Sequence, residues 1–166
     1  MPESRGLLTN VVVGVGNWEE TLRNNKAAYA LAFVGRAEFQ SAFPSSMTAA
    51  QFVDKLNQNA DGALDATERQ TLIDQLTAGG VNNAQARANV LRAVAEDRTL
   101  HDSEFNKAFV LMQYFGYLKR NPDDFPDTSF GGWSFWLQKL NDNNGNFVQA
   151  EMVKAFITSI EYRARF

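Results

Sequence analysis

Ala27–Phe43 (AAYALAFVGRAEFQSAF) and Ala150–Phe166 (AEMVKAFITSIEYRARF) align with each other along their whole length without gaps. A segment that recurs in this way indicates one supersecondary unit used more than once, with each copy burying its apolar face against a neighbour. The alignment therefore predicts a packed helical scaffold. The identical pairs are Ala27/Ala150, Ala32/Ala155, Phe33/Phe156, Glu38/Glu161 and Phe43/Phe166.

Helix boundary signals follow along the rest of the chain. Thr48–Gln51 and Asp65–Glu68 have the spacing of capping boxes, Asn83 is placed to cap a helix, and Gly79–Gly80 is placed to end one. Only Val11–Gly16 has the composition of a strand, and a short extended entry is the expected form. We predict an all-α fold of six or seven helices, in which imperfect helical repeats pack as one multi-helix domain over residues 1–166. The repeats are predicted over about 27–43 (partial), 52–105 and 109–166.

Three further helix features are predicted. Asn17–Glu20 has the pattern of a capping box, and Asn146 is placed to cap the final helix. Asp102 or Ser103 is predicted to begin the strongest helix. The apolar stripe of that helix is predicted to consist of Phe105, Phe109, Met112 and Phe115.

The composition argues against several classes of function. With 16 Lys and Arg against 19 Asp and Glu, the net charge is −3, which removes the electrostatic basis for general nucleic-acid binding. Cys is absent, so neither a disulfide framework nor a thiolate metal site is expected. The longest apolar stretch, Ala27–Val34, is far shorter than the roughly 20 residues that span a bilayer, so no membrane insertion is expected.

The first eight residues lack the basic start and long apolar run of a signal peptide. The chain is therefore expected either to stay inside the cell or to be a piece of a longer exported protein. Because it opens with the back half of a repeat, the second interpretation is favoured.

Residues in the C-terminal half together form a family pattern. They are Phe109-Val110, Tyr117–Arg120 with Pro122-Asp123, Gly132–Trp136 (GWSFW) with Leu140, and Ala155–Tyr162 (AFITSIEY). This pattern resembles the bacterial domain of unknown function 4214 family, most specifically over residues 105–166. The turn before Gly132 is longer here than in the family, by residues 124–131.

The resemblance implies a helical module found toward the ends of large secreted or surface bacterial proteins, and hence an extracellular or cell-surface location. It implies a protein partner or neighbouring domains of a longer chain as the binding partner. It brings no catalytic residue and no certain cofactor. We therefore expect a non-enzymatic structural or protein-interaction module.

One loop supports an alternative function, calcium binding. Residues 57–68 have the spacing of an EF-hand loop, with Gly62 at its sixth place and an apolar residue at its eighth. The candidate ligands are Asn57, Asn59, Asp61, Asp65 and Glu68. A plain turn followed by a helix cap accounts for the same residues without any metal.

Two other loops are rich in oxygen ligands. Asn141–Gly145 falls one residue short of the calcium pattern, and a turn between helices explains it. Asp123, Asp124 and Asp127 are placed to hold a hard cation, although the nearby prolines account for the loop equally well.

The aromatic residues leave a further alternative open. Trp133, Phe135 and Trp136 crowd one helix, so they either pack between repeats or line a groove for a partner or a sugar. A hydrolase acting on carbohydrate or peptidoglycan would use exposed carboxylates beside such aromatics. His101, the single histidine, is expected at a cap or on the surface, and Gly14–Gly16 lacks the third glycine of a dinucleotide loop.

Overall fold

The computed structural model describes residues 3–165, with the side chains of residues 6–165. Met1, Pro2 and Phe166, which the sequence aligns with Phe43, lie outside the described residues. The predicted all-α class is confirmed, because the described part of the chain forms helices and no strand. The helices are α1 (Trp18–Val34), α2 (Ala37–Ala42), α3 (Ala49–Asn59), α4 (Ala66–Gly79), α5 (Ala84–Ala95), α6 (Arg98–Gln113), α7 (Gly131–Asp142), α8 (Met152–Thr158) and α9 (Ile160–Arg163).

Two shorter elements accompany these helices. A 3-10 helix covers Glu3–Leu8, and a π-helical segment covers Tyr114–Leu118 at the end of α6. Asn25 at the centre of α1 donates its Nδ2 to the carbonyl oxygens of Leu7 and Thr9, at 3.1 and 2.9 Å. The N-terminal segment is thereby tied to α1.

The helices group into two compact units, Met1–Leu100 (unit 1) and His101–Phe166 (unit 2). Each unit has a hydrophobic core of its own, centred on Phe52 and Leu76 in unit 1 and on Leu140 and Met152 in unit 2. The boundary between the units falls inside the predicted second repeat. The single domain over residues 1–166 and the repeat limits stay predictions.

Within unit 1, α1 packs against α5 in an antiparallel arrangement. Lys26 Nζ lies 2.9 Å from Glu96 Oε1, just beyond the end of α5. Val34, at the end of α1, lines a cavity together with Arg87 near the start of α5. α3 and α4 pack against each other and against α5, which completes the core.

Three helix junctions in the chain share one backbone pattern. The backbone N–H of Arg36 bonds to Phe33 O between α1 and α2, that of Asp97 to Val94 O between α5 and α6, and that of Ser159 to Phe156 O between α8 and α9. Arg36 and Ser159 are both extended, with ψ of 145° and 150°. The aligned segments that opened the sequence analysis thus have the same local geometry, and the α5–α6 junction adds a third example.

The structure corrects the predicted starts of two helices and one predicted side-chain cap. α6 begins at Arg98 instead of Asp102 or Ser103, because Asp97 accepts the Leu100 N–H at 3.0 Å and acts as its cap. Asn17 makes no side-chain cap bond to α1. Asn146 accepts N–H groups from Val148 and Gln149, but α8 begins only at Met152.

The predicted apolar stripe of α6 was wrong in part, because only Phe109 of its four residues packs against the core of unit 2. Phe105 and Met112 are each 59% exposed, whereas Val110 and Tyr114 are buried in the core of unit 2. The helix therefore turns a different face to its core from the one that the aromatic spacing indicated.

Candidate functional site

The loop proposed for calcium closes α3 in a Schellman arrangement. The Gly62 N–H bonds to Asn57 O at 2.9 Å and the Asp61 N–H to Gln58 O at 3.2 Å. Asp61 and Gly62 have φ of 55° and 75°, as this helix ending requires. Asn57 and Asn59, the first and third candidate ligands, are still part of α3.

Three of the five candidate ligands are used in hydrogen bonds within the loop. Asn57 Oδ1 accepts the Leu64 N–H at 2.9 Å. Asp65 and Glu68 form a capping box at the start of α4, in which Asp65 Oδ1 accepts the Thr67 and Glu68 N–H groups and Glu68 Oε2 accepts the Asp65 N–H. This geometry supports the turn-and-cap interpretation, and calcium binding stays a prediction.

The second Asx-rich loop ends its helix in the same way. After α7, the Gly145 N–H bonds to Leu140 O and the Asn144 N–H to Asn141 O, both at 2.9 Å. Asn144 and Gly145 have φ of 51° and 76°, close to the values of Asp61 and Gly62. The two loops diverge after the glycine, since unit 1 continues into α4 and unit 2 continues through a turn to α8.

Arg120 is the centre of the densest polar cluster in unit 2. Its Nε and Nη2 donate to the two carboxylate oxygens of Glu161 at 2.8 and 3.1 Å, and Nη2 also donates to Asp127 at 2.7 Å. Nη1 donates to the carbonyl oxygens of Asn121, Pro122 and Asp124. The Arg120 side chain is only 9% exposed, and its bonds to Glu161 raise its pKa above the usual arginine value.

Residues that carry the family resemblance converge on this cluster. Arg120 stacks on the Tyr114 ring at 5.3 Å, and a Cβ on Gly132 would lie 2.7 Å from Tyr114 Oη. Burial raises the pKa of Tyr114. Trp136 packs on Phe156 with ring centroids 5.7 Å apart. The motif residues therefore hold the helices of unit 2 together.

The predicted acidic site at Asp123, Asp124 and Asp127 is divided between separate contacts. Asp127 pairs with Arg120, while Asp124 Oδ2 accepts the backbone and side-chain N–H groups of Asn121. Among the side chains of residues 6–165, no three His, Asp or Glu come together as a metal site would require.

Unit 1 has a similar arginine that the sequence analysis missed. Arg87 is 7% exposed and donates to the carbonyl oxygens of Phe43, Pro44 and Val81 and to Asn82 Oδ1. Burial lowers its pKa. Its guanidinium also lies over the Phe52 ring, 4.9 Å from the ring centroid. A lone arginine at a helix start gives no sequence signal of such a role, because its hydrogen-bond acceptors are backbone carbonyls and an amide.

One side of α6 carries an aromatic ladder of His101, Phe105 and Phe109, which Phe147 continues from the turn before α8. Phe109 is half-buried against the core of unit 2. Successive ring centroids lie 6.4, 6.3 and 5.3 Å apart. Phe105 is 59% exposed and Phe147 is 43% exposed. The aromatic residues at helical spacing were visible in the sequence, but they were assigned to the core.

The other predicted site residues are dispersed. His101 is exposed in the first turns of α6, with Nδ1 3.0 Å from Asp102 Oδ1. On α7, Phe135 is 60% exposed, whereas Trp133 and Trp136 pack against the core of unit 2. Trp133 Nε1 is buried and has no hydrogen-bond partner among the described residues.

Compared with known protein families, curated proteins and solved structures, the chain matches none of them. Within residues 3–165, no helix combines the length and the apolar character needed to cross a membrane.

Proposed function

We propose that this chain is a non-enzymatic helical module that binds a protein partner and forms part of a larger exported bacterial surface protein. The exported setting rests on the resemblance to the domain of unknown function 4214 family. The interaction role rests on one observation: unit 2 uses its polar motif residues internally and presents an aromatic ladder to solvent.

The motif residues are engaged in holding the fold. Arg120 is saturated by Glu161, Asp127 and three carbonyl oxygens, so these groups serve the fold of unit 2. Structural polar networks of this kind rigidify a unit and specify one arrangement of its helices.

The aromatic ladder is the feature that unit 2 offers to its surroundings. Aromatic side chains bury large areas at low conformational cost and dominate the energetics of protein interfaces. Phe105 and Phe147 are exposed and therefore add little to the stability of unit 2. Their apolar surface contributes to the free energy of binding when a partner covers it. A protein surface with an apolar groove is the expected partner.

The experiment is a binding assay with the chain immobilised and the envelope fraction of the producing bacterium passed over it. We expect the wild-type chain to retain a protein that the Phe105→Ser/Phe147→Ser variant does not retain. Phe125→Ser is the matched control, because Phe125 is 89% exposed and does not belong to the ladder. Retention of the same proteins by all three chains would contradict the proposal.

A stability measurement shows whether the ladder variant remains folded. Phe105→Ser is expected to change the free energy of unfolding by less than about 1 kcal/mol, as for surface positions generally. Val110→Ala, on the same helix and fully buried, is expected to cost about 2 kcal/mol. A loss at Phe105 as large as that at Val110 would assign the ladder to the core.

A further inference from the structure

The side chains of Arg87 and Arg120 are both largely removed from water, but their charges are balanced differently. Arg120 in unit 2 pairs with Glu161 and Asp127. Among the described residues, no Asp or Glu forms an ion pair with Arg87 in unit 1, and its hydrogen bonds go to neutral acceptors. A buried cation without a counter-charge is unfavourable, and a neighbouring anion reduces that cost.

Arg87 also retains an N–H group that is available for a ligand. The Nη1 atom of a guanidinium carries two N–H groups. In the described part of the chain, Nη1 of Arg87 makes one hydrogen bond, to Phe43 O at 2.7 Å, so its second N–H group has no acceptor there. Arg87 can therefore bind an anion and keep all of its hydrogen bonds to the fold.

A cavity of about 440 Å³ lies beside this guanidinium. Phe43, Pro44 and Asn82 accept hydrogen bonds from Nη1 and Nη2 and also line the cavity, so the charged end of Arg87 faces it. The Phe52 ring covers a face of the guanidinium, with its centroid 4.9 Å away. The cavity volume lies within the range of about 300–1,000 Å³ that is typical of small-molecule sites.

The walls of the cavity are complementary to a small anion with an apolar body. Among its described lining residues, Arg87 is the only charged one. Val34 and Phe43 supply apolar surface, and both are buried. Ala84, the first residue of α5, places the start of that helix in the wall, and the start of a helix carries partial positive charge. The charges of the site therefore favour an anion over a cation.

We propose that this cavity binds a small monocarboxylate, whose carboxylate accepts a hydrogen bond from the second N–H group of Arg87 Nη1 and whose apolar body lies against Val34 and Phe43. One carboxylate balances the single charge of one arginine, whereas a phosphate dianion would leave a negative charge unbalanced. The site lies in unit 1 and shares no residue with the aromatic ladder, so it and the partner binding proposed above can each fail without the other.

Benzoate is the probe for this site, and benzamide, which has a similar shape and no charge, is the matched control ligand. We expect benzoate to bind with a dissociation constant of about 0.1 to 10 mM. An NMR titration of the isotope-labelled chain at constant ionic strength should shift the amide resonances of Phe43, Ser45 and Ala84, which line the cavity. Benzamide should bind at least about tenfold more weakly, because a hydrogen bond to an ionised acceptor is stronger than one to a neutral acceptor.

Two variants test the role of Arg87. Arg87→Met removes the cation and is expected to abolish the benzoate-dependent shifts. Ser45→Asp leaves Arg87 and its bonds to the fold in place and adds a carboxylate to the cavity wall, at an exposed residue next to Pro44. It should weaken benzoate binding at least about fivefold by like-charge repulsion. Gln58→Glu adds the same charge at an exposed residue outside the cavity and should bind benzoate like the wild type.

Inorganic phosphate identifies the class of anion, and it is expected to bind more weakly than benzoate. Tighter binding of phosphate would overturn the assignment of the site to monocarboxylates. Amide resonances that stay unchanged up to about 50 mM benzoate, or equal benzoate affinities of Ser45→Asp and Gln58→Glu, would overturn the site at Arg87.

Discussion

Arg120 and Glu161 are separated by 41 positions in the chain and form a bidentate ion pair at 2.8 and 3.1 Å. The pair joins the segment after the π-helical turn to α9, the last helix of the described chain. Arg120 is almost completely buried, whereas Glu161 retains 23% exposure of its side chain. Both charges are therefore partly removed from water, and each is stabilised by the opposite charge of its partner.

Removal of the arginine is predicted to destabilise unit 2. Arg120→Ala removes the cation that pairs with Asp127, leaves Glu161 with the longer contact to Arg165, and also frees three carbonyl oxygens. Breaking a largely buried pair costs about 3 kcal/mol. Denaturant unfolding followed by the fluorescence of Trp133 and Trp136, in a Trp18→Phe background, measures this loss in unit 2.

Arg165→Ala is the control for this prediction. Arg165 also contacts Glu161, at 3.4 Å, but its side chain is 38% exposed. Exposed ion pairs contribute about 0 to 1 kcal/mol, so a small effect is expected. Equal losses for the two arginines would show that burial of Arg120 does not matter.

We predict that residue 132 must be glycine, because the side chain of Tyr114 occupies the space that a Cβ would need. Alanine usually stabilises a helix relative to glycine, but here the added Cβ would lie 2.7 Å from Tyr114 Oη. Gly132→Ala should therefore lower the free energy of unfolding by about 1 to 3 kcal/mol. Gly116→Ala, whose Cβ meets nothing within 4 Å, should not produce that loss.

A double-mutant cycle identifies the cause of that loss. Tyr114→Phe removes the hydroxyl oxygen that the new methyl group would meet. In the Tyr114→Phe background, Gly132→Ala is expected to cost at least about 1 kcal/mol less than in the wild type. Additive effects of the two substitutions would rule out the contact with Oη as the cause.

The stability of unit 1 is predicted to depend on the ionisation of Glu96. Burial opposes ionisation, but hydrogen bonds from Lys26 and Arg92 outweigh burial and hold the pKa of Glu96 below 4.5. Because the folded state binds this proton less readily than the unfolded state, the contribution is complete above pH 4.5 and is lost as pH falls through the folded pKa.

Thermal melts between neutral and acid pH check this dependence. Trp133→Phe/Trp136→Phe leaves Trp18 as the reporter of unit 1. In that background Glu96→Gln should make the Tm fall less steeply below pH 4.5 than in the parent. Glu38→Gln, at an exposed carboxylate of the same unit, is the comparison, and an equal change in slope for both would contradict the assignment.

The loop at residues 57–68 is predicted to function as the turn that ends α3 and the N-terminal cap of α4, and not as a metal site. Asp65→Ala removes the acceptor for two N–H groups and should cost about 1 kcal/mol, whether calcium or EDTA is present. The wild-type Tm should be the same in both solutions. A calcium site at a free calcium concentration about a hundredfold above its dissociation constant would instead add about 2.7 kcal/mol to the free energy of unfolding. That corresponds to a rise in Tm on the order of 10 °C for a unit of this size.

Local helix signals were predictable from the sequence where a side chain bonds to its own turn. The capping boxes at Thr48 and Asp65 and the cap at Asn83 are confirmed by their hydrogen bonds. The predicted side-chain cap at Asn17 was wrong. Its carbonyl oxygen, and not its side chain, accepts hydrogen bonds from the N–H and hydroxyl groups of Thr21. The start of α6 was missed because Asp97 shares its capping chemistry with the nearby Asp102 and Ser103.

The candidate surfaces could not be predicted in the same way. Periodicity indicates that Phe105 and Phe109 lie on one side of a helix, but it does not indicate whether another helix covers that side. The role of Arg87 depends on carbonyl groups of Phe43 and Pro44 that are distant in the sequence. Such contacts are tertiary, and no local pattern encodes them.

The two loops that follow α3 and α7 have a consequence for how the chain tolerates added length. Both stop their helix at a glycine in the same way, and only unit 1 then inserts a further helix, α4, before the next junction. The turn after Gly145 is therefore a natural point for grafting. A peptide or a small helical domain inserted there should leave the preceding helix ending unchanged, which makes this turn a suitable place for an epitope or a fluorescent tag.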